Sequence, residues 1–345
     1  MSVHWSWAFG AESGATLSGD MGWTVPVAGG TVTGDSGVTY TYSGSPTRYS
    51  MSLSSFRHIR TPPAVFIPEG WLAMPIYCAT NWYSEATNGT IFEVVATSGK
   101  RIYAYQTSPS GTAPTGTIEV FVGSTSVGTF NLQVNTWYYV AVKYKIDDAN
   151  WSVDVFVDGA SVVSGTSAEG SESTGTYGFG GFSYAGLAHV GQMIVYDWTG
   201  TGQEDPQFVT RCDPISDAGS SGAWSPSAGT DQFDVIDSPF STATYTENTS
   251  ASVGDYVECR SSPLTDASQL NLSGVTVRSV SAHDFSEGSG ISVKASICDA
   301  SACASGGAVT PSTGITSYCF STSDTEPSGG AWTTSSTIGV KHEVV

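Results

Sequence analysis

The sequence is poor in basic residues. Lysine and arginine together number 12 against 31 aspartates and glutamates, and the formal net charge is -19. Phosphate backbones and anionic lipid headgroups are bound largely through lysine and arginine, so this balance disfavours nucleic acids and membrane surfaces as partners. It is typical instead of a soluble surface whose like charges repel one another.

Long apolar runs and a leader peptide are also missing. No stretch approaches the ~20 apolar residues of a membrane-spanning helix, and the start MSVHWS has neither a cationic nor an apolar segment. We therefore expect synthesis without the general secretory route, although a leader absent from this sequence would leave the same picture. Good helix formers are sparse and no 3.6-residue apolar period persists, so the chain is expected to be almost entirely β.

Two alternating segments, residues 137–146 and 151–157, form the most informative part of the sequence. A polar turn of residues 147–150 separates them, and Asp158-Gly159 follows where a tight turn is expected. Alternation with a period of two and one apolar face is what a strand covering a core needs. The pattern predicts a β-hairpin followed by a second turn.

This segment resembles the signature hairpin of the concanavalin A-like jelly-roll family, in its laminin-G and pentraxin-like branch. In that branch a Trp-x-x-Val-Ala-Val strand leads, after a short polar turn, into a strand ending in Val-Asp-Gly. The matching residues are Trp137, Val140, Ala141, Val142, Val157, Asp158 and Gly159. The resemblance implies a jelly roll over residues 1–203, in which a closing strand at 188–197 pairs near a first strand at 5–9.

Residues 200–206, GTGQEDP, have the composition of a linker, and we place a domain boundary there. The second domain, residues 204–345, is predicted to contain seven short strands, which suit another sandwich. These strands are Phe233–Ile236, Ala243–Thr246, Asp255–Cys259, Val275–Ala282, Ile291–Ile297, Thr316–Phe320 and Ile338–Val344. The predicted fold class is all-β, with two β-sandwich domains of which the first is a concanavalin A-like jelly roll.

The second domain resembles a module of tailed-bacteriophage structural proteins. That module has a Trp-x-Pro segment, then a Val/Ile-Asp dipeptide, a Thr-Tyr pair and a late tryptophan before the last strand. The matching residues are Trp224, Pro226, Ile236, Asp237, Thr244, Tyr245 and Trp332, whereas Ser238 stands where an acidic residue is common. The resemblance implies a virion protein.

Motifs for catalysis are missing. Jelly-roll β-glucan hydrolases carry two carboxylates on one strand, as Glu-x-Asp-x-x-Glu, because alternate side chains then enter the same cleft. No such ladder is present, and the five histidines are scattered without a nucleophile elbow or a Cys-His signature. The protein is therefore expected not to be an enzyme, although carboxylates that converge from different strands would escape notice.

Four aromatic residues in polar or glycine-rich segments are candidates for binding a glycan or a partner: Trp82, Tyr83, Phe182 and Tyr184. Sugar binding favours flat apolar rings beside polar donors, whereas packing in a core is the competing interpretation for each ring. No cofactor is predicted. The jelly-roll branch often binds Ca²⁺ at its rim, which makes Asp147, Asp148 and Asp158 calcium candidates, but turns also favour aspartate for backbone reasons.

Of the six cysteines, Cys298 and Cys303 are separated by four residues. This spacing is not that of a zinc knuckle, and no second pair completes a zinc site, so no metal site is predicted there. A disulfide between these two is one hypothesis; it would be reduced in the cytoplasm and could oxidise on a released particle. Two others are buried thiols and an intermolecular bond through Cys212.

Three functional hypotheses follow. The first is a non-enzymatic virion protein on the outside of a phage capsid or tail, assembled in the host cytoplasm. It would act in decoration and assembly or in adhesion to host surface glycans, with other virion proteins as partners and many copies on a lattice or as an oligomer. The second is a cellular or secreted lectin-like, carbohydrate-binding protein. The third is a glycan-cleaving enzyme.

Overall fold

The computed structural model describes a large part of the chain, and its regular elements are strands. The described residues are 2–8, 39–40, 48–49, 51–52, 58–60, 67–78, 90–107, 115–133, 136–172, 175–180, 187–197, 214–233, 246–248, 252–261, 275–281, 292–310, 317–323, 325–333 and 335–345. No helix among them is long and apolar enough to cross a membrane. The all-β sandwich class predicted from the sequence is confirmed.

The chain divides into two compact units, which comprise most of residues 1–209 and most of residues 210–345. The strands of the first are β1 (Ser2–Ala8), β2 (Thr39–Tyr40), β3 (Arg48–Tyr49), β4 (Met51–Ser52), β5 (His58–Arg60), β6 (Glu69–Cys78), β7 (Thr90–Ala96), β8 (Arg101–Thr107), β9 (Thr115–Val122), β10 (Thr125–Gln133), β11 (Thr136–Lys145), β12 (Asn150–Val157), β13 (Ala160–Ala168), β14 (Gly175–Gly180), β15 (Leu187–Val190) and β16 (Gln192–Asp197). Those of the second are β17 (Pro214–Ser221), β18 (Trp224–Pro226), β19 (Thr246–Asn248), β20 (Tyr256–Ser261), β21 (Val275–Ser281), β22 (Val293–Cys298), β23 (Cys303–Val309), β24 (Ser317–Ser323) and β25 (Gly339–Val344). The predicted boundary between residues 203 and 204 falls outside the described ranges and stays a prediction.

Two large sheets and the small pair β2-β3 are described in the first unit. An eight-stranded sheet has the order β1-β16-β6-β11-β12-β13, with β15 and β4 beside this path, and a six-stranded sheet has the order β10-β9-β8-β7-β14-β5. The predicted closing strand is present as β15 and β16, and β16 pairs with β1 as expected.

The predicted hairpin is confirmed as β11 and β12, in which Val142 pairs with Val155. The turn that follows β12 uses the two residues picked out from the sequence: Asp158 has φ 49° and Gly159 has φ 85°. The Asp158 carboxylate accepts a hydrogen bond from the backbone N–H of Tyr139 at 2.8 Å. This aspartate therefore fixes the turn to the neighbouring strand.

In the central strands β6, β11, β12 and β16 of the eight-stranded sheet, both faces carry buried residues, whereas the sequence pattern predicted one apolar face. The inner face, with Val140, Val142 and Val155, faces the six-stranded sheet, because Tyr144 on that face reaches Tyr177 of β14. The opposite face carries a second apolar cluster: Trp71, Ala73, Tyr139, Ala141, Phe156, Ile194 and Tyr196. Within it, the rings of Trp71 and Tyr196 stack with centroids 6.0 Å apart. The prediction of a single apolar face was wrong because large aromatic residues occupy the alternate positions between the valines.

The second unit is built on a five-stranded sheet of order β17-β20-β25-β22-β23, with the pairs β18-β19 and β21-β24 beside it. Ile297, Trp332 and Ile338 form its core, against which Val275 and Val340 pack. The predicted strand at 233–236 is wrong at its first residue: Phe233 is helical. The reason is local, since the Asp217 carboxylate accepts the backbone N–H groups of Gln232 and Phe233 at 3.0 and 2.8 Å, as a helix cap does.

Candidate functional site

The four aromatic residues proposed from the sequence, Trp82, Tyr83, Phe182 and Tyr184, lie outside the described residues and stay predictions. The three calcium candidates are described, and they do not share a site. Asp147 and Asp148 precede β12 and Asp158 follows it, so the eight residues of that strand hold them ~25 Å apart. These three aspartates therefore cannot hold one ion together, and calcium at either end of the strand stays a prediction. Asp147 lies 3.8 Å from the Lys145 ammonium instead.

A different group of aromatic residues comes together on the outward face of the six-stranded sheet. In β8, Ile102 and Ala104 are buried, and Ile102 pairs with Val94, which pairs with Tyr177. Since Tyr177 contacts the other sheet, this set faces inward. The alternate residues Tyr103 and Tyr105 therefore face outward, and so does Phe121, which pairs with Tyr103 across β9.

These three residues, which we call the aromatic face, pack ring against ring. The Phe121 centroid lies 5.1 Å from that of Tyr103 and 5.1 Å from that of Tyr105, with interplanar angles of 9° and 15°. The two tyrosine centroids are 5.9 Å apart. All three side chains are partly exposed. The sheet thus presents a rigid apolar surface whose two phenol groups add polar atoms.

Charged groups border the aromatic face on two sides. The Arg101 guanidinium lies 4.5 Å from the Tyr103 centroid, over the ring, and 3.3 Å from the carboxylate of buried Glu93. On the other side, the Ser126 hydroxyl donates to the Glu119 carboxylate. Burial, helped by the charge of Glu119 and by Tyr103, raises the pKa of Tyr105. The Tyr105 phenol therefore stays protonated at neutral pH and keeps a hydrogen to donate.

Exposed hydroxyl and amide groups continue the same face along β9 and β10. The Thr117 hydroxyl donates to the Asn131 side chain at 2.9 Å, and both residues are exposed. Beside them, Thr129 is exposed and pairs with Glu119. Aromatic rings with hydroxyl and amide groups on the same face are a combination that can bind the apolar and hydroxylated surfaces of a sugar.

The two carboxylates of this face do not form a glycosidase pair. Glu93 and Glu119 lie two strands and two residues apart, because Glu93 pairs with Tyr103 and Glu119 with Tyr105. Strand spacings place their Cα atoms ~12 Å apart. Each side chain also has a partner on the adjacent strand: Arg101 of β8 for Glu93 and Ser126 of β10 for Glu119. Retaining glycosidases hold their carboxyl groups about 5 Å apart and inverting ones about 6.5–9.5 Å apart.

In the second unit, Cys298 and Cys303 pair directly across β22 and β23 and are joined by a disulfide. Glu258 of β20 lies beside them, and its carboxylate oxygen and the two sulfur atoms all lie within 4.8 Å of one another. Among the residues that the structure describes, this is the one group of three such side chains found close enough to hold a metal ion. Sequence spacing did not reveal Glu258, because it is 40 residues away.

Comparison with known proteins gives likenesses of fold. No protein-family model matches the chain, and no curated protein does. Among solved structures, the chain is similar to domain 4 of an extracellular arabinanase from Geobacillus stearothermophilus, with 12% identity over 57% of this chain and 92% of that one and a TM-score of 0.36. It is also similar to a Bacillus licheniformis β-glucanase, with 13% identity over 56% of this chain and 98% of that one and a TM-score of 0.33. A third is a pentraxin from Limulus polyphemus, with 15% identity over 41% of this chain and 71% of that one and a TM-score of 0.27.

These likenesses accord with the concanavalin A-like jelly roll expected for the first unit, and at these scores they carry no inference about ligand or activity. The similarity of the second unit to phage structural modules stays a prediction. The two tryptophans of that pattern, Trp224 and Trp332, are described in the structure. Trp332 is buried and donates its indole N–H to the Ser323 carbonyl at 3.2 Å, and Trp224 meets the His342 ring edge-on with centroids 5.7 Å apart.

Proposed function

We propose that this protein binds carbohydrate without cleaving it, through the aromatic face of its jelly roll. The observation that carries the proposal is the group of three partly exposed rings, Tyr103, Tyr105 and Phe121, on the outward face of the six-stranded sheet. Apolar rings at the surface, beside hydroxyl and amide groups, offer stacking to sugar C–H groups and hydrogen bonds to sugar hydroxyls.

The separation of Glu93 and Glu119 supports binding without hydrolysis, because neither glycosidase geometry fits it. Both carboxylates also have partners of their own: Arg101 for Glu93 and Ser126 for Glu119.

The charge of the protein supports a neutral glycan as the ligand. The formal net charge is -19, and the Arg101 guanidinium on this face is already shared between Glu93 and the Tyr103 ring. Among the described residues of this face, no other cation is placed to bind a sulfated or sialylated glycan, and the net charge of the protein would repel it. A neutral hexose or pentose chain meets no such barrier.

The test is a glycan array with the full-length chain, followed by calorimetric titration of the best neutral oligosaccharide. We expect Tyr103→Ala and Tyr105→Ala each to weaken binding about two- to tenfold, as for the loss of one aromatic contact. Trp137→Ala is the matched control, because Trp137 is a partly exposed aromatic residue of the other sheet. Its ring packs against Tyr77, with the two centroids 5.3 Å apart. Equal loss in all three variants, or no array signal, would overturn the proposal.

We further propose that the protein acts in a virion of a tailed phage, on the outside of the capsid or tail, where the aromatic face would hold host glycans and other virion proteins would be its neighbours. The support is the phage-like pattern around Trp224 and Trp332 together with the acidic composition. Mass spectrometry of purified particles tests this placement. Stoichiometric recovery with capsid or tail proteins is the expected result. Recovery only as a free monomer in the extract or medium would favour the lectin-like cellular or secreted protein.

A further inference from the structure

The five-stranded sheet of the second unit brings one carboxylate and two sulfur atoms to the same face. Cys298 pairs with Gly339, which also pairs with Arg260 on the other side of β25. Glu258 is two residues from Arg260 in β20 and therefore projects from the same face. Strand order alone thus unites Glu258 with Cys298 and Cys303, whose ligand atoms lie within 4.8 Å of one another.

Gly339 of β25 leaves space for the Arg260 side chain beside Glu258. Strand β25 lies between β20 and β22, and its residue Gly339 pairs with Cys298. A Cβ built at Gly339 would fall 2.2 Å from Nη1 of Arg260. Because this position has no side chain, Arg260 lies across β25 and holds the Glu258 carboxylate at 2.5 Å. The neighbouring cation, Lys341, is engaged elsewhere: it lies 3.2 Å from Glu343 and over the Tyr256 ring.

The hairpin that carries the cysteines is held together independently of the disulfide. The backbone N–H of Asp299 donates to the Ala302 carbonyl at 2.9 Å, and the Asp299 carboxylate accepts the N–H groups of Ser301 and Ala302 at 2.7 and 2.8 Å. Its other oxygen accepts the N–H of Ser328 at 2.6 Å. A crosslink over so short a loop also restricts the unfolded chain least. The two thiols should therefore stay side by side after reduction.

We propose that Cys298, Cys303 and Glu258 form a binding site for a thiophilic divalent cation such as Zn²⁺ when the disulfide is reduced. Reduction by a dithiol cleaves the sulfur–sulfur bond and delivers two electrons and two protons to the cysteines, while the dithiol becomes a disulfide. The cation then displaces the two thiol protons into solvent. Two metal–sulfur bonds and one metal–oxygen bond form, and water fills the fourth position of a tetrahedral site.

The ion pair with Arg260 gives the site a competitor within the protein. Before Glu258 binds the cation, its carboxylate must leave the guanidinium. Arg260→Gln removes this competitor and should tighten cation binding about fivefold. Glu258→Gln should weaken it about tenfold or more, because an amide replaces the anionic ligand. Opposite effects from two neighbouring residues separate coordination from a general change in stability.

The experiment uses the full-length chain, reduced with a phosphine, freed of reductant without air and titrated with Co²⁺. Thiolate ligation to Co²⁺ gives a sulfur-to-metal charge-transfer band, and Zn²⁺ should displace it. We expect the band in reduced wild-type protein and not in the oxidised protein or the Cys298→Ser/Cys303→Ser variant, which retains the other four of the six cysteines. Retention of the band in that variant would assign the metal to other thiols and overturn the proposal.

Far-ultraviolet circular dichroism of the reduced protein completes the test. If the reduced protein keeps its β spectrum but shows no cobalt band, the disulfide is a structural crosslink only. If the reduced protein unfolds, the preformed site does not exist. Either result overturns the proposal. The glycan variants Tyr103→Ala and Tyr105→Ala lie in the other unit and should bind Co²⁺ as the wild type does. Failure of the metal-site proposal would therefore leave the glycan-binding proposal untouched, and the reverse also holds.

Discussion

The hydroxyl of Tyr144 is hydrogen-bonded to the hydroxyl of Tyr177, and the two tyrosines come from opposite sheets of the sandwich. Both are buried, and both also reach residue 67, where the Tyr144 hydroxyl donates to the Ile67 carbonyl at 2.8 Å and the Ile67 N–H donates to the Tyr177 oxygen at 3.0 Å. One polar network thus joins the two sheets and the chain segment that enters β6. Burial raises the pKa of both phenols, so they remain protonated.

Removal of the Tyr177 hydroxyl should destabilise the first unit. Tyr177→Phe leaves the partly buried N–H of Ile67 without its acceptor, which costs about 1–3 kcal/mol. Urea unfolding followed by tryptophan fluorescence measures the change. Tyr105→Phe is the control, because its phenol is on the outward face, and it should change the free energy of unfolding by less than about 0.5 kcal/mol. Equal effects of the two substitutions would show that the buried network contributes nothing of its own.

The turn after β12 gives a prediction that isolates backbone conformation. Gly159 has φ 85°, and a Cβ built there meets nothing within 4 Å. Gly159→Ala should therefore cost about 1–2 kcal/mol from the left-handed conformation alone. Gly307 also has open space around it but has no positive φ, so Gly307→Ala is the matched control and should not destabilise. Thermal unfolding of both variants measures the change in stability. A Gly159→Ala protein that is as stable as the wild type would contradict the turn geometry.

The strands that the sequence predicted are those with an apolar inner face. The hairpin of β11 and β12 alternates valines with other residues and was found where expected. The strands β10 and β13 were missed. In β13 only Val163 is buried along nine residues, so this edge strand shows almost no hydrophobic period. Edge strands are specified by pairing with a neighbour, which local sequence does not record.

The candidate sites were missed for a related reason. Tyr103 and Tyr105 alternate with buried Ile102 and Ala104, so their outward direction could have been read from the sequence. Their contact with Phe121 depends on the register of β8 and β9, which are seven residues apart in the sequence. Glu258 meets the cysteines only because β25 lies between β20 and β22. Neither order nor register follows from composition or period.

His342 should make the stability of the second unit depend on pH. It pairs with Val257 and Ala295 on its two sides, and burial lowers the pKa of His342 to about 4. The unfolded chain binds this proton near pH 6.5 and the folded chain does not until about pH 4, so stability should fall as pH falls through this window. The loss is about 1–3 kcal/mol.

Replacement of the titrating ring separates this effect from that of the carboxylates. His342→Asn cannot gain the proton, so its unfolding free energy should vary less between about pH 6.5 and 4 than that of the wild type. Urea unfolding at a series of pH values gives the two slopes. Parallel curves for the wild type and the variant would mean that His342 titrates equally in the folded and unfolded states.

Cys259 should resist alkylation in the folded protein. Its side chain is buried, its thiol lies 3.8 Å from the Asp217 carboxylate, and burial together with that negative charge raises its pKa to about 12. At about pH 8 the thiolate population is then on the order of a thousandfold below that of an ordinary cysteine. Peptide mass spectrometry after timed iodoacetamide treatment of reduced protein measures the labelling. Exposed Cys303 should be labelled first and Cys259 only after unfolding; labelling of both at one rate would contradict the burial of Cys259 beside Asp217.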